Sequence, residues 1–258
     1  MHKIEFHSST TTRTLFTILG ILVVLHLIVA FCHTVLQIKV EALTQLVDLD
    51  LESNLPTFFN ISLFFIGAGL FYLHGKAAIA NKRSGWFLMA AIFVFLGIDE
   101  GSQIHEKFVF FTHRLLGHEG KSAIELGWFY YAWVIPYGLA AIGLLVLLSR
   151  WLLNLDPKLR RGLLISGAIY VFGAVFLEMA GGKVVGSDSY PAEDFPWLPC
   201  RIYDDPSGCW QYMNPLYITL YTLEEVFEMT GLILCIRFLL KAFEKKGLFL
   251  SLNVKPQD

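Results

Sequence analysis

Asp99, Glu100, His105 and Glu106 sit close together inside one apolar stretch, and Glu178, Glu224, Glu225 and Glu228 sit inside two more. Carboxylates in segments apolar enough to cross a bilayer are rare and mark ion pathways, proton relays or catalytic sites. Several of them held together cannot all ionise in a low-dielectric interior, because desolvation and like charge both oppose it. Protons, a bound cation, or flanking basic residues such as Lys107, Lys183 and Arg201 must compensate.

A metal ion is the sharpest of these compensators, since carboxylates with one or two histidines on facing helices are what di-iron and di-manganese bundles use. On that reading Asp99, His105, Glu106, Glu178, Glu224 and Glu228 are the candidate ligands. Glu106 or Glu225 is the candidate catalytic base. The cofactor is then a divalent metal ion. Oxygen donors favour iron or manganese, with zinc, calcium or magnesium as alternatives. The likeness is chemical only: those bundles carry Glu-x-x-His on two helices, whereas here Glu225-x-x-Glu228 has no histidine.

Helix phase groups these residues further. At about 100° per residue, Asp99, Ser102, Gln103 and Glu106 share one face, His105 lies at its margin and Glu100 points elsewhere. Tyr217, Tyr221, Glu224, Glu225 and Glu228 form a second polar stripe, with Glu224 and Glu228 four apart. His33 and Asn60 are further candidates from earlier stretches, while His26 and His74 fit hydrogen bonding between helices.

The elements that must hold these side chains follow from composition. At 258 residues, 55% hydrophobic and with 22 phenylalanines, the chain exceeds what a soluble core of this size can hide. Residues 15–37, 55–73, 86–108, 128–148, 163–180 and 216–240 each approach the roughly 20 helical residues that a bilayer requires. The expected fold is all-α: one polytopic integral membrane domain, a six-helix transmembrane bundle. Glycines 67, 69, 167 and 173 suit close helix contact.

Lys3, Arg13, Lys76, Lys82, Arg83, Arg150, Lys158, Arg160, Arg161, Lys241, Lys245 and Lys246 fall in alternate connecting segments. That asymmetry places both termini in the cytoplasm and implies the plasma or inner membrane. Counting along the helices at 1.5 Å per residue puts Asp99 about 10 Å, Glu178 roughly 5–8 Å, and Glu224 and Glu228 roughly 6 and 12 Å below the outer surface. Three helices thus place acids in one layer facing the periplasm or exterior. The outer loop at 181–215 contains Cys200 and Cys209, whose location favours a disulfide. It is also dense in Trp and Tyr, which suits a lid, a protein partner or an interfacial anchor.

A net charge of −2 gives no field for nucleic acid. The chain has no Gly-rich phosphate loop, no Gly-x-Ser-x-Gly elbow, no His-Glu-x-x-His and no Cys-x-x-Cys. The expectation is therefore a metal-dependent membrane enzyme acting on a lipid or other apolar substrate. A proton- or cation-coupled transporter using the same acids is the alternative, and a non-catalytic subunit of a membrane complex the third reading. An inverted repeat, common in transporters, would put the two acid groups on opposite sides, whereas here both count out to the same side.

Overall fold

In a computed structural model, residues 2–117, 126–185, 214–247 and 250–254 are described. They form helices α1 (Ser8–Thr34), α2 (Glu41–Val47), α3 (Leu55–Ala77), α4 (Ser84–Ser102), α5 (Ile104–Leu115), α6 (Val134–Leu153), α7 (Pro157–Val185) and α8 (Pro215–Glu244). Two short strands, β1 (His2–Phe6) and β2 (Leu250–Val254), pair antiparallel and join the two ends of the chain.

Three helix starts follow one local rule. Asn54, Asp156 and Asn214 each cap a helix whose first turn contains a proline, at Pro56, Pro157 and Pro215. Asn214 Oδ1, for example, accepts the N–H groups of Leu216 at 3.1 Å and Tyr217 at 3.0 Å. The cap satisfies otherwise orphaned donors, and proline costs nothing where no intrahelical N–H bond is made.

Five helices, α1, α3, α4, α6 and α7, are long and apolar enough to cross a membrane. Their exposed faces carry large apolar side chains such as Val24, Ile28, Phe58, Ile142 and Val146, which is compatible with an integral membrane protein. The sixth expected span corresponds to α8, which has the length, but Glu224, Glu225 and Glu228 together with Arg237 and Lys241 keep it from reading as apolar. The third expected span is two helices: Gln103, in the left-handed region at φ 53°, ends α4 and begins α5. The first expected span begins earlier and ends sooner, at Ser8–Thr34, the fourth is shifted to Val134–Leu153, and the fifth lengthens at both ends to Pro157–Val185.

The core lies between α3, α4 and α8. Phe64, Phe71 and Phe93 meet edge to face, with Phe71 and Phe93 ring centroids 4.9 Å apart. Met229, Ile233, Ile236 and Leu239 of α8 pack in the same buried cluster. His74 is stacked between Trp86 at 4.6 Å and Phe243 at 3.8 Å, and its Nε2 lies 3.1 Å from the Leu239 carbonyl. It is a packing residue, as expected from sequence.

Gly173 and Gly67 do mark close approaches, since an added Cβ would fall 2.8 Å from the Glu224 carbonyl oxygen and 2.6 Å from the Phe93 ring respectively. Gly69 and Gly167 face open space, so their expected role is not seen: close contact needs a neighbouring helix, which sequence spacing alone does not supply. Gly173→Val forces Cβ against backbone, and an overpacking loss of about 1–3 kcal/mol is expected in denaturation measured in detergent. An unchanged midpoint would contradict the packing at this site.

The two ends of the bundle differ in charge. At one end Ser8 donates from N (2.6 Å) and Oγ (2.7 Å) to Glu244, and Lys245 Nζ pairs with Asp156 at 2.6 Å. Arg83 and Arg160 also lie at this end, bonded to backbone carbonyls. The expected disulfide between Cys200 and Cys209, and the 181–215 loop beyond Val185, lie outside the described residues.

Candidate functional site

At the opposite end, a cavity of about 1460 Å³ opens between α4, α6, α7 and α8. The expected ligands and bases Asp99, His105, Glu106, Glu178, Glu224, Glu225 and Glu228 all line it, whereas the further candidates His33 and Asn60 do not. Glu100 lines it too, contrary to the helical-phase expectation. Asn60 of α3 donates to its Oε1 at 2.9 Å and draws it inward. Asp50 and Glu52, from the turn between α2 and α3, complete a set of nine carboxyl groups.

Asp99 is the best-connected of these acids and is 5% exposed. Its Oδ1 accepts the backbone N–H of His105 at 2.9 Å and the hydroxyl of Tyr137 at 2.9 Å, while Oδ2 lies 3.4 Å from His105 Nδ1. Because the chain turns at Gln103, Asp99 both caps α5 and orients the imidazole. A continuous helix would have left His105 at the margin of the Asp99 face.

Glu178 follows directly on a π-helical turn, Phe172–Leu177. Such turns insert a residue into the α register and often occur at functional sites. Glu178 accepts Trp133 Nε1–H at 3.0 Å, and Glu224 lies within hydrogen-bonding reach of it. Asn60 likewise stands beside both Glu100 and Glu228, linking α3, α4 and α8.

Asp50 accepts the Tyr217 hydroxyl at 3.1 Å, and the Tyr217 oxygen is 3.3 Å from that of Tyr131. Burial, reinforced by neighbouring Asp48, pushes the Asp50 carboxyl up to about 7. Burial together with Glu100 and Glu106 pushes Glu52 up to about 7 as well. Both groups are thus easier to protonate in the folded chain than in the unfolded one. Their stabilising contribution is fully present at low pH and is lost as the pH rises from about 4 through 7. Melting temperatures in metal-free detergent should therefore fall between pH 5 and pH 8, and the Asp50→Asn/Glu52→Gln double variant should flatten that slope. An equal slope in both proteins would count against the burial of these two acids.

The expected metal ligands meet in pairs. Among the described residues, no three His, Cys, Asp or Glu side chains converge on a point where a metal ion could be held. The expected basic neighbours also stay out of the cavity lining. Lys107 bonds the Ser102 carbonyl at 2.7 Å, Lys183 packs near Gly127, and Arg201 lies outside the described residues.

His33 and His26 belong elsewhere. His33 meets Thr44 at 2.9 Å, and His26 meets Thr222 at 3.1 Å and Asp48 at 3.2 Å. The Asp48–His26–Thr222 series resembles a nucleophile triad in order. However, the Thr222 hydroxyl donates to Ile218 O at 2.6 Å and none of the three lines the cavity. The series ties α1, the 48–50 turn and α8 together.

Sequence reasoning missed Asp50, Glu52, Tyr131, Trp133, Tyr137 and Tyr170 in the cavity wall. The alternation Asp48-Leu-Asp50-Leu-Glu52 immediately before the Asn54 cap was the available signal for the first two.

Fold and site together define a helical protein with several membrane-compatible helices and one carboxylate-rich internal cavity. Residues 15–242 match a family described as a domain of unknown function, DUF8692, and the chain belongs to that family. Nothing among curated proteins or solved structures matches it.

Proposed function

We propose that the protein is a multi-pass membrane enzyme that draws an amphipathic, lipid-like molecule into this cavity and acts on its polar end. The carrying observation is the division of one cavity into two chemistries. Acids and one imidazole cluster at one end, while Met89, Phe93, Leu96, Leu144, Leu148 and Leu163 are among the apolar groups that wall the rest. Helix α6 supports lateral access, because only Val134 and Leu148 are buried along it and most of its inner face borders the cavity. Proton or cation passage alone would not call for so large an apolar wall.

In this reading α8 is the sixth membrane helix, its acids turned toward the cavity. The basic end near Ser8, Arg83 and Asp156 faces the cytoplasm and the acidic end the periplasm or exterior. Asp99 holds His105 as a proton carrier, and the Glu178/Glu224 pair shares protons at the reacting end. Glu225, on the same cavity-lining helix, is the spare base. The donor set suits manganese, iron, calcium or magnesium in kind but not in arrangement, so no step is routed through a metal. The hydrogen-bonded Glu178/Glu224 carboxyl pair favours a second reading, a proton- or cation-coupled carrier, which pH-dependent flux in proteoliposomes would reveal.

The test is extraction of bound molecules from the protein purified in nanodiscs, read by native mass spectrometry, with metals measured on the same sample. The wild type should hold an amphiphile that Gly138→Trp excludes, since a side chain at Gly138 meets nothing within 4 Å and projects from a cavity-lining position. Membrane extracts should be altered by the wild type and left unchanged by His105→Gln. Wild type and Gly138→Trp each appearing at the mass of its bare polypeptide would sink the proposal.

A further inference from the structure

The charge of the cavity wall and the unmet hydrogen-bonding capacity behind it constrain which polar head would fit there. Nine carboxyls and one imidazole line the wall, and no lysine or arginine does so among the described residues. A phosphate, sulfate or carboxylate head would meet like charge there, whereas a cationic head supplies the positive charge that the wall itself lacks. Aromatic groups surround the same end. Trp133 and Tyr137 rings stand 5.3 Å apart, Tyr217 and Tyr221 5.2 Å apart, and all four line the cavity, where their faces favour a cation.

A second, independent observation concerns hydrogen-bond donors. Glu228 is 8% exposed and lines the cavity. The amide beside it, Asn60, serves both Glu100, at 2.9 Å, and Glu228, and has no further N–H to give. Asn60 is itself 0% exposed, and its Oδ1 has no hydrogen-bond partner among the described residues. Buried polar atoms are almost always paired. A cluster of carboxylates and an amide oxygen short of partners lacks donors, and an ammonium group brings three together with the positive charge.

We infer that the occupant is a long-chain amine, with a protonated primary ammonium head held among Glu100, Glu224 and Glu228 and its chain lying along α6. The inference rests on the amphiphile-binding reading of this same cavity. It narrows the substrate class to molecules whose polar end is an amine.

Dodecylamine, dodecanol and dodecyl phosphate, each below its micellar concentration, are titrated into the protein in nanodiscs or neutral maltoside detergent. Binding is followed by native mass spectrometry and thermal shift. Dodecylamine should bind at least about tenfold more tightly than dodecanol, and dodecyl phosphate should not bind measurably. Glu228→Gln should weaken dodecylamine about tenfold and leave dodecanol unchanged. Gly138→Trp, which fills the chain's path, should weaken both alike. If dodecanol binds as tightly as dodecylamine and Glu228→Gln changes neither, the amine assignment is overturned while the amphiphile reading stands. If no probe binds and Gly138→Trp has no effect, the amphiphile reading fails as well.

Discussion

Gly231→Leu is expected to separate α7 from α8 and to remove most of the protein's resistance to denaturation in detergent. A Cβ at Gly231 would fall 2.8 Å from the Ser166 carbonyl oxygen, 2.8 Å from the Tyr170 amide nitrogen and 2.8 Å from its Cβ. Two of these are backbone atoms within a helix and cannot swing aside, so the helices themselves must move. Overpacking of this kind typically costs about 1–3 kcal/mol and more where backbone is displaced. Because Glu224 and Glu228 lie within two turns of Gly231, the same shift disperses the acid cluster. Gly231→Ala should show a smaller loss, as it adds the clashing Cβ and nothing beyond. A Gly231→Leu protein that melts with the wild type would refute the tight α7–α8 crossing.

The second large effect concerns Asp99. Asp99→Leu strips an acceptor from the His105 N–H and the Tyr137 hydroxyl, both at 2.9 Å, in a side chain that is 5% exposed. Each orphaned donor costs about 1–3 kcal/mol, so the break at Gln103 should loosen and α5 should lose its cap. Asp99→Asn keeps a carbonyl oxygen for the same two donors and removes the negative charge beside the imidazole. It should fold nearly as well as the wild type, yet lose turnover of the bound amphiphile by about 100-fold or more, the usual scale for disabling a positioned proton carrier. Stability measured by chemical denaturation and turnover measured on membrane extracts should therefore separate in the two variants. If Asp99→Asn retains full turnover, Asp99 serves α5 alone and His105 needs no charged partner.

Much of the site was legible because it is written in helical spacing. Tyr217, Tyr221, Glu224, Glu225 and Glu228 lie on a single unbroken helix, and their shared stripe survives into the structure as one wall of the cavity. The acids that the residue count put in one layer on three helices do line one cavity. Glu100 escaped because one helix's phase says nothing about a neighbour's donor, and Asn60, forty residues earlier, turns it inward. The break at Gln103 escaped because neither glycine nor proline marks it. Its stabilisation comes from the Asp99 side chain, a polar contact six residues apart. Asp50 and Glu52 escaped for a third reason: loop residues have no period, and only the placement of α2 and α3 brings them to the cavity. The expected metal ligands share one cavity but do not meet in threes among the described residues, since periodicity places carboxylates on a face and only rotamers decide whether three of them meet.

The antiparallel pairing of His2–Phe6 with Leu250–Val254, reinforced by Ser8 on Glu244, makes the chain a closed circuit. These contacts span 236 residues between Ser8 and Glu244, so α1 depends on the distant α8 for its anchorage. During synthesis α1 must wait, unpartnered at that end, until α8 has left the ribosome. A chain truncated before α8 would therefore strand α1 at that end as surely as it would lose the acids of α8.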